Sequence, residues 1–467
     1  MAASNQLSRS LGLSVVVVLV IGNIIGSGVY KKVAPMAHDL HSSGWILISW
    51  VIAGVISLMG ALSNAEVAGL LADTGGEYVY YKKIYNKFFA FLFGWSLFTI
   101  IQTASISSLA YVFSESLNSI VKLPPVLDNL KDINIAGVFY PFVDMNIKLT
   151  AVVVIILLTW INNKGLKAGA GFSTALMILI LTGIMLIIVF GFASNESSVK
   201  SAFDLKTTNG SAVTFSAIFT SMLAAFWAYQ GWASTGYIGG EIKNANRNLP
   251  LGIAIGVLLV IATYLLVNTA YLSLLPVQKL EAVYEAKNQI AAIEAVRVFG
   301  GSTGVLLISI LICITTLGCT NATILVSCRP YYAMAKEGMF FKSVAKLNNS
   351  HVPGNSLLYQ CVWAVILVFS GTFDQLTDMI IFAVFIYYGA TTLGVFILRK
   401  RMPDAHRPYK VWGYPVVPAI VLVFCTVLFI NTIYSRPREA AIGTVLMLTG
   451  VPLYLWFKKK KLRQHRS

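Results

Sequence analysis

The sequence predicts an all-α integral membrane protein with 12 transmembrane helices, built as an inverted 5+5 repeat whose leading helices, the first and the sixth, are both discontinuous. Three observations carry that prediction. The chain of 467 residues is 57% hydrophobic and 12% charged, where soluble domains carry about 25% charged residues. Its apolar residues gather into runs of about 20, the length that crosses a bilayer's hydrocarbon core. Two of those runs are interrupted, at Gly26-Ser27-Gly28 and at Gln230-Gly231. Each interruption falls in the first helix of a set of five, and because five is odd the two sets run through the membrane in opposite directions. Inverted repeats led by broken helices point to a site at mid-membrane.

In chain order, residues 1–11 form a short N-terminal segment that reads as retained rather than as a cleaved signal peptide, since its n-region is weak and helix-compatible sequence resumes after the break. The first five-helix set occupies 12–193, with spans at 12–37 (broken), 43–70, 88–116, 149–162 and 170–193. The second occupies 213–398, with spans at 213–241 (broken), 250–275, 303–335, 355–372 and 376–398. Two more helices fill 413–457, at 413–434 and 440–457, and a basic tail covers 458–467. The first break follows from residue type. Two glycines around a serine propagate a helix poorly, so the chain opens and leaves peptide groups without intrahelical partners. Unwound backbone at bilayer depth is tolerated only where protein or a water-filled cavity surrounds it.

Most of the 35 lysines and arginines fall in the even-numbered connections, their adjoining helix ends and the two termini. Cytoplasmic loops hold that excess, so both termini are expected in the cytoplasm and the protein in the plasma membrane. The net charge of +16 is then a membrane-surface property. Lys458, Lys459, Lys460 and Lys461 are placed to meet anionic lipid headgroups, and no nucleic-acid partner is implied.

Cys313, Cys319, Cys328, Cys361 and Cys425 lie in or beside apolar runs without C-x-x-C spacing, and the five histidines lie in loops or the tail. No metal site, cofactor, disulfide-linked ancillary subunit or histidine proton relay is expected. An integral-membrane enzyme would need His, Asp or Cys clustered at bilayer depth. The sequence offers none, so a non-enzyme is expected.

Gly22-Asn23-Ile24-Ile25-Gly26-Ser27-Gly28-Val29 resembles the helix 1 signature of the amino acid-polyamine-organocation superfamily. Phe226-Trp227-Ala228-Tyr229-Gln230-Gly231-Trp232, followed by Glu241-Ile242-Lys243-Asn244 and Asn248-Leu249-Pro250, resembles helix 6 of its L-type amino acid transporter branch. Ala65-Glu66, Gly75-Gly76-Glu77-Tyr78, Ala335-Lys336-Glu337-Gly338 and Arg407-Pro408-Tyr409-Lys410 are similar to further stretches of the family, in the same order. The resemblance implies alternating access, with the α-carboxylate of an amino acid on the N–H groups of Gly26, Ser27 and Gly28. It implies the α-amino group on carbonyls of Ile24 or Ile25 and of Phe226, Trp227 and Tyr229. Helix dipoles agree, because a helix N-terminus suits a carboxylate and a C-terminus suits an ammonium.

Each candidate has a plainer reading beside it. The glycines of the first break also fit close helix packing, although that would not call for a second break at Gly231. Trp227 resembles the family's gating aromatic and equally fits core packing. Gln230 stands where relatives with large substrates have glycine, which leans toward a small or polar neutral substrate; its amide also suits freed backbone. Glu66 and Glu241, with Lys164, Lys243 and Arg329, are candidates for inner-gate salt bridges or for solvated loop charge. Lys31 and Lys32 are read as snorkelling to the headgroups. Many L-type relatives carry a lysine in helix 5, and the aligned position here is Ile180. Thr315, Thr316 and Thr320 either join a sodium site or bond back to their own helix. With no buried carboxylate foreseen, neutral amino acids are the expected substrates. A proton-coupled symporter, a cationic amino acid or polyamine carrier, and a non-transporting amino acid sensor are the alternatives.

Overall fold

The computed structural model describes residues 12–464 apart from 72–75, 136–139, 165–169, 234–241, 287–288 and 349–351. The architecture is helical throughout. The first span is α1 (Leu13–Ile24), a three-residue opening, then α2 (Gly28–Lys31) and α3 (Val33–Leu40). There follow α4 (Ser43–Leu70), the short α5 (Glu77–Ile84), α6 (Lys87–Ser96) and α7 (Gln102–Ile120), the last two joined by a π-helical turn at Leu97–Ile101. Then come α8 (Met145–Asn163), α9 (Ala170–Ala193), α10 (Val199–Ala202) and α11 (Phe215–Tyr229).

The later chain adds α12 (Ala245–Leu274), α13 (Val277–Glu285), α14 (Ala291–Lys336), α15 (Gly354–Val368), α16 (Phe373–Arg401), α17 (Val416–Ser435), α18 (Pro437–Leu448) and α19 (Gly450–Gln464). Among the described residues, eight helices are long and apolar enough to cross a membrane, and four shorter apolar helices accompany them. Short α5 and α13, and the kink at Gly301 that folds the start of α14 into a separate segment, were not foreseen, because their mixed polarity gives no membrane-length run.

The lipid-facing sides are apolar, with Val153, Ile156, Leu157 and Trp160 exposed along α8. The interior is close-packed. Gly252 and Gly256 of α12 lie against Val16 and Val20 of α1, where an added methyl would come within 2.6 Å of a valine carbon. That is the small-xxx-small device for close helix approach.

Charge marks both ends of the bundle, and here the structure corrects two expectations. Lys31 and Lys32 do not snorkel; their side chains are 5% and 0% exposed. Lys31 donates to both carboxylate oxygens of Glu115 on α7. Lys32 donates to Asp374 Oδ1 at 2.7 Å and Thr377 Oγ1 at 2.6 Å on α16. Nearby, Arg436 bridges Asp39 and Asp378. The interior therefore does hold carboxylates, Glu115 among them, and they are paired with cations. The reason was not visible locally, since Lys31 and Glu115 are 84 residues apart and Lys32 and Asp374 are 342 apart.

At the opposite end Glu66 accepts two bonds from Arg399, at 2.8 and 2.7 Å, approaches Arg407 at 3.5 Å and accepts the Val411 N–H at 2.7 Å. Its partners are thus not Lys164, Lys243 or Arg329. Lys164 instead lies over the Trp160 ring, and Glu241 falls outside the described residues. Tyr78 and Lys82 of α5 both bond Glu337 at the end of α14.

Breaking a buried pair by removing one partner leaves an uncompensated charge and costs about 3–5 kcal/mol, whereas replacing both with apolar groups is close to neutral. We expect Glu115→Ala to lower the unfolding free energy of the purified protein by about 3–5 kcal/mol. Lys31→Leu combined with Glu115→Leu should recover most of that loss, measured by thermal unfolding in one detergent.

Candidate substrate site between two broken helices

The first opening runs through Ile25, Gly26 and Ser27. The Ile25 N–H still bonds Ile21 at 2.8 Å, closing α1. Its own backbone then turns extended, with ψ at 106°. Among the described residues, no hydrogen bond is made by the Gly26 or Ser27 N–H. Gly28, as the first residue of α2, has no intrahelical acceptor for its N–H either. Three successive N–H groups are therefore left without intrahelical acceptors where the helix resumes.

The second opening follows α11. The Gln230 N–H turns to Trp227 O at 3.3 Å, which leaves the Phe226 carbonyl outside the helical ladder. Gly231 then adopts φ of +124°, open to glycine. A β-carbon there would clash with the Asn23 carbonyl oxygen of α1, so no side chain fits. The two openings touch. Gly28 is equally confined, since a methyl on it would sit 2.6 Å from the Ala228 α-carbon, whereas one on Gly26 would meet nothing within 4 Å.

Side chains complete the junction. Trp227 Nε1 reaches Ser27 Oγ at 3.4 Å, and its ring stands edge-on to Phe373 with centroids 6.2 Å apart. Lys31 and Lys32 each hold an ammonium over that same Phe373 ring, at 4.9 and 4.6 Å. Trp227 thus lies between the first opening and the paired charges. Tyr229 is buried, its hydroxyl donating to Trp50 O at 3.2 Å.

Tyr264 of α12, which sequence reading passed over, reaches Ala228 O at 2.9 Å and Ile24 O at 3.3 Å. A buried tyrosine hydroxyl needs a partner. The sequence shows that need but not which acceptors meet it.

Two clefts adjoin the second opening. One of about 320 Å³ lies among α4, α11, α16 and α17, bounded by Ser57, Phe226, Tyr229 and Trp232. The other, of about 400 Å³, lies between the α6–α7 junction and α16, bounded by Glu77, Gln102, Gly231 and Tyr388. Gln230 borders both. Ile24, Ile25, Gly26, Ser27, Gly28 and Trp227 line neither, so the first opening is in contact with the second rather than part of the cleft walls. Ile180 is buried. Thr315, Thr316 and Thr320 each donate to a carbonyl four residues back in α14, the plainer of their two readings.

The amino acid permease family model matches residues 11–457. The chain is 29% identical over 460 residues to the serine/threonine exchanger SteT of Bacillus subtilis, covering 98% of both chains. It is 27% identical over 465 residues to the mouse b(0,+)-type amino acid transporter 1, covering 97% of this chain and 89% of that one. It is 28% identical over 468 residues to the human large neutral amino acids transporter small subunit 2, covering 97% and 82%.

The two glycines of the first opening should respond differently to the same substitution. Gly26→Ala, with open space at its β-carbon, is expected to change stability by less than about 0.5 kcal/mol. Gly28→Ala forces its methyl into the α11 backbone, and overpacking of that kind costs about 1–3 kcal/mol. Thermal unfolding of both variants checks the contact between the openings.

Proposed function

Because the chain belongs to the amino acid permease family, whose model spans nearly all of it, we propose that it is a secondary transporter of neutral L-amino acids. In this reading it acts in the plasma membrane by alternating access, as a sodium-independent exchanger or facilitator. The observation that carries the reading is the contact between two opened helices, with the free N–H groups of Gly26 and Ser27 on one side and the Phe226 carbonyl on the other. A zwitterion finds both its complements there without a charged side chain.

The eight long and four shorter apolar helices support a 12-span, inverted 5+5 fold with both termini cytoplasmic. Helices 1, 2, 6 and 7 would rock against 3, 4, 8 and 9. The end bearing Lys31 and Lys32 is then extracellular and closed beneath Phe373. In that orientation the cleft bounded by Glu77 belongs to the cytoplasmic half. Glu66 with Arg399 and Arg407 ties the inner ends of α4 and α16. The basic end of α19 rests on anionic lipid. The carboxylates that pair with Lys31, Lys32 and Arg436 are spoken for, which favours neutral over cationic substrates. The helix 8 threonines, bonded within α14, favour sodium independence. The cysteines lie in α14, α15 and α17, which favours a chain that works without a disulfide-linked partner. No bond is made or broken in this cycle.

Uptake of labelled alanine, serine and leucine into proteoliposomes tests the reading, with arginine and putrescine in parallel. Expected is uptake stimulated by internal neutral amino acid and indifferent to a sodium gradient. Uptake driven by a pH gradient without internal substrate would favour proton symport, and binding without flux would favour a sensor.

A further inference from the structure

The larger cleft carries a feature that backbone recognition of a zwitterion does not use. Its walls are mostly apolar, formed by Phe93, Leu97 and Ile101 on one side and Val384 and Tyr388 on the other. Into this surface the structure sets two carboxamides, Gln102 from the start of α7 and Gln230 from the opening after α11. Among the described residues, neither side-chain amide has a hydrogen-bond partner. Glu77, which also borders the cleft, has an interaction of its own.

The placement of Gln102 is built rather than incidental. Five residues along an α-helix is about 140° around the axis, which would turn Gln102 away from the face that Leu97 presents. Here the Gln102 N–H bonds Leu97 O across a π turn, and the extra residue in that turn brings Gln102 round toward the same side. π turns are rare and concentrate at functional sites. This one is held in place from two neighbouring helices: Tyr331 of α14 donates to Leu97 O at 3.1 Å, and Trp363 of α15 donates to Thr99 O at 2.8 Å. A buried tyrosine and a half-buried tryptophan hold the carbonyls of a distortion that brings one amide to the cleft.

Resting on the transporter reading above, we propose that Gln102 and Gln230 form a paired-amide clamp that reads the substrate side chain and selects small polar neutral amino acids, those bearing a hydroxyl or a carboxamide. A hydroxyl or carboxamide both donates and accepts, and so satisfies both glutamines. An aliphatic side chain in the same place strips water from them and returns nothing. Sites that hydrogen-bond a substrate group reject analogues lacking it far more strongly than apolar pockets discriminate by size.

The test is competition binding on the purified full-length protein with serine, threonine, asparagine, glutamine, alanine, leucine and phenylalanine, repeated on Gln102→Met and Gln230→Met. The wild type should bind serine or asparagine at least tenfold more tightly than leucine, and each variant should shrink that ratio about tenfold. A wild type that binds leucine as tightly as serine overturns the clamp whether or not either variant folds. So does a folded Gln102→Met or Gln230→Met variant with an unchanged ratio. If the wild type binds none of the seven, the transporter reading itself falls; if it binds alanine but shows no polar preference, that reading stands and only the clamp is lost.

Discussion

Hydrocarbon offers a peptide group neither donor nor acceptor, and this constraint orders the rest of the molecule. Among the described residues, the long helices meet it over most of their length by bonding within themselves. The openings at Ile25–Ser27 and after Tyr229 do not, and the fold answers by pressing them together at Gly231 and Asn23. Tyr264 spans the seam between Ala228 and Ile24. The junction is therefore a place where peptide groups are left out of secondary structure and enclosed by neighbours.

The ends of the bundle obey the same rule for charge. A lysine taken out of water must be matched, and Lys32 is matched by a carboxylate and a hydroxyl on one helix turn of α16. Phe373 sits between Trp227 and both ammonium groups, offering its ring face to the cations and so adding a favourable contact beyond packing. The seam and the paired charges are contiguous through that one ring.

Much of this was legible in the sequence where the signal is local. Gly26, Gly28 and Gly231 announce the openings because glycine disfavours helix wherever it occurs, and run length places the long helices within a few residues. Threonines 315, 316 and 320 behave as hydroxyls in apolar helices do. What was not legible depends on distant partners. Lys31 and Lys32 look like headgroup-seeking residues until Glu115 and Asp374 are brought beside them. Gln102 looks like one of many polar residues in a serine-rich helix until a π turn re-aims it, and no residue between Leu97 and Ile101 is a turn former. Short α5 and α13 escaped because they are neither apolar nor long.

The adjacency of Lys31 and Lys32 has a kinetic consequence. The two side chains grip carboxylates on different helices, α7 and α16, so the segment that bears them cannot lean toward one without letting go of the other. In the transport cycle proposed above, opening that end would mean releasing both grips together and wetting four charged groups. Such a step carries a steep activation enthalpy, so the turnover of the whole cycle would quicken sharply with warmth even though the binding of its cargo need not.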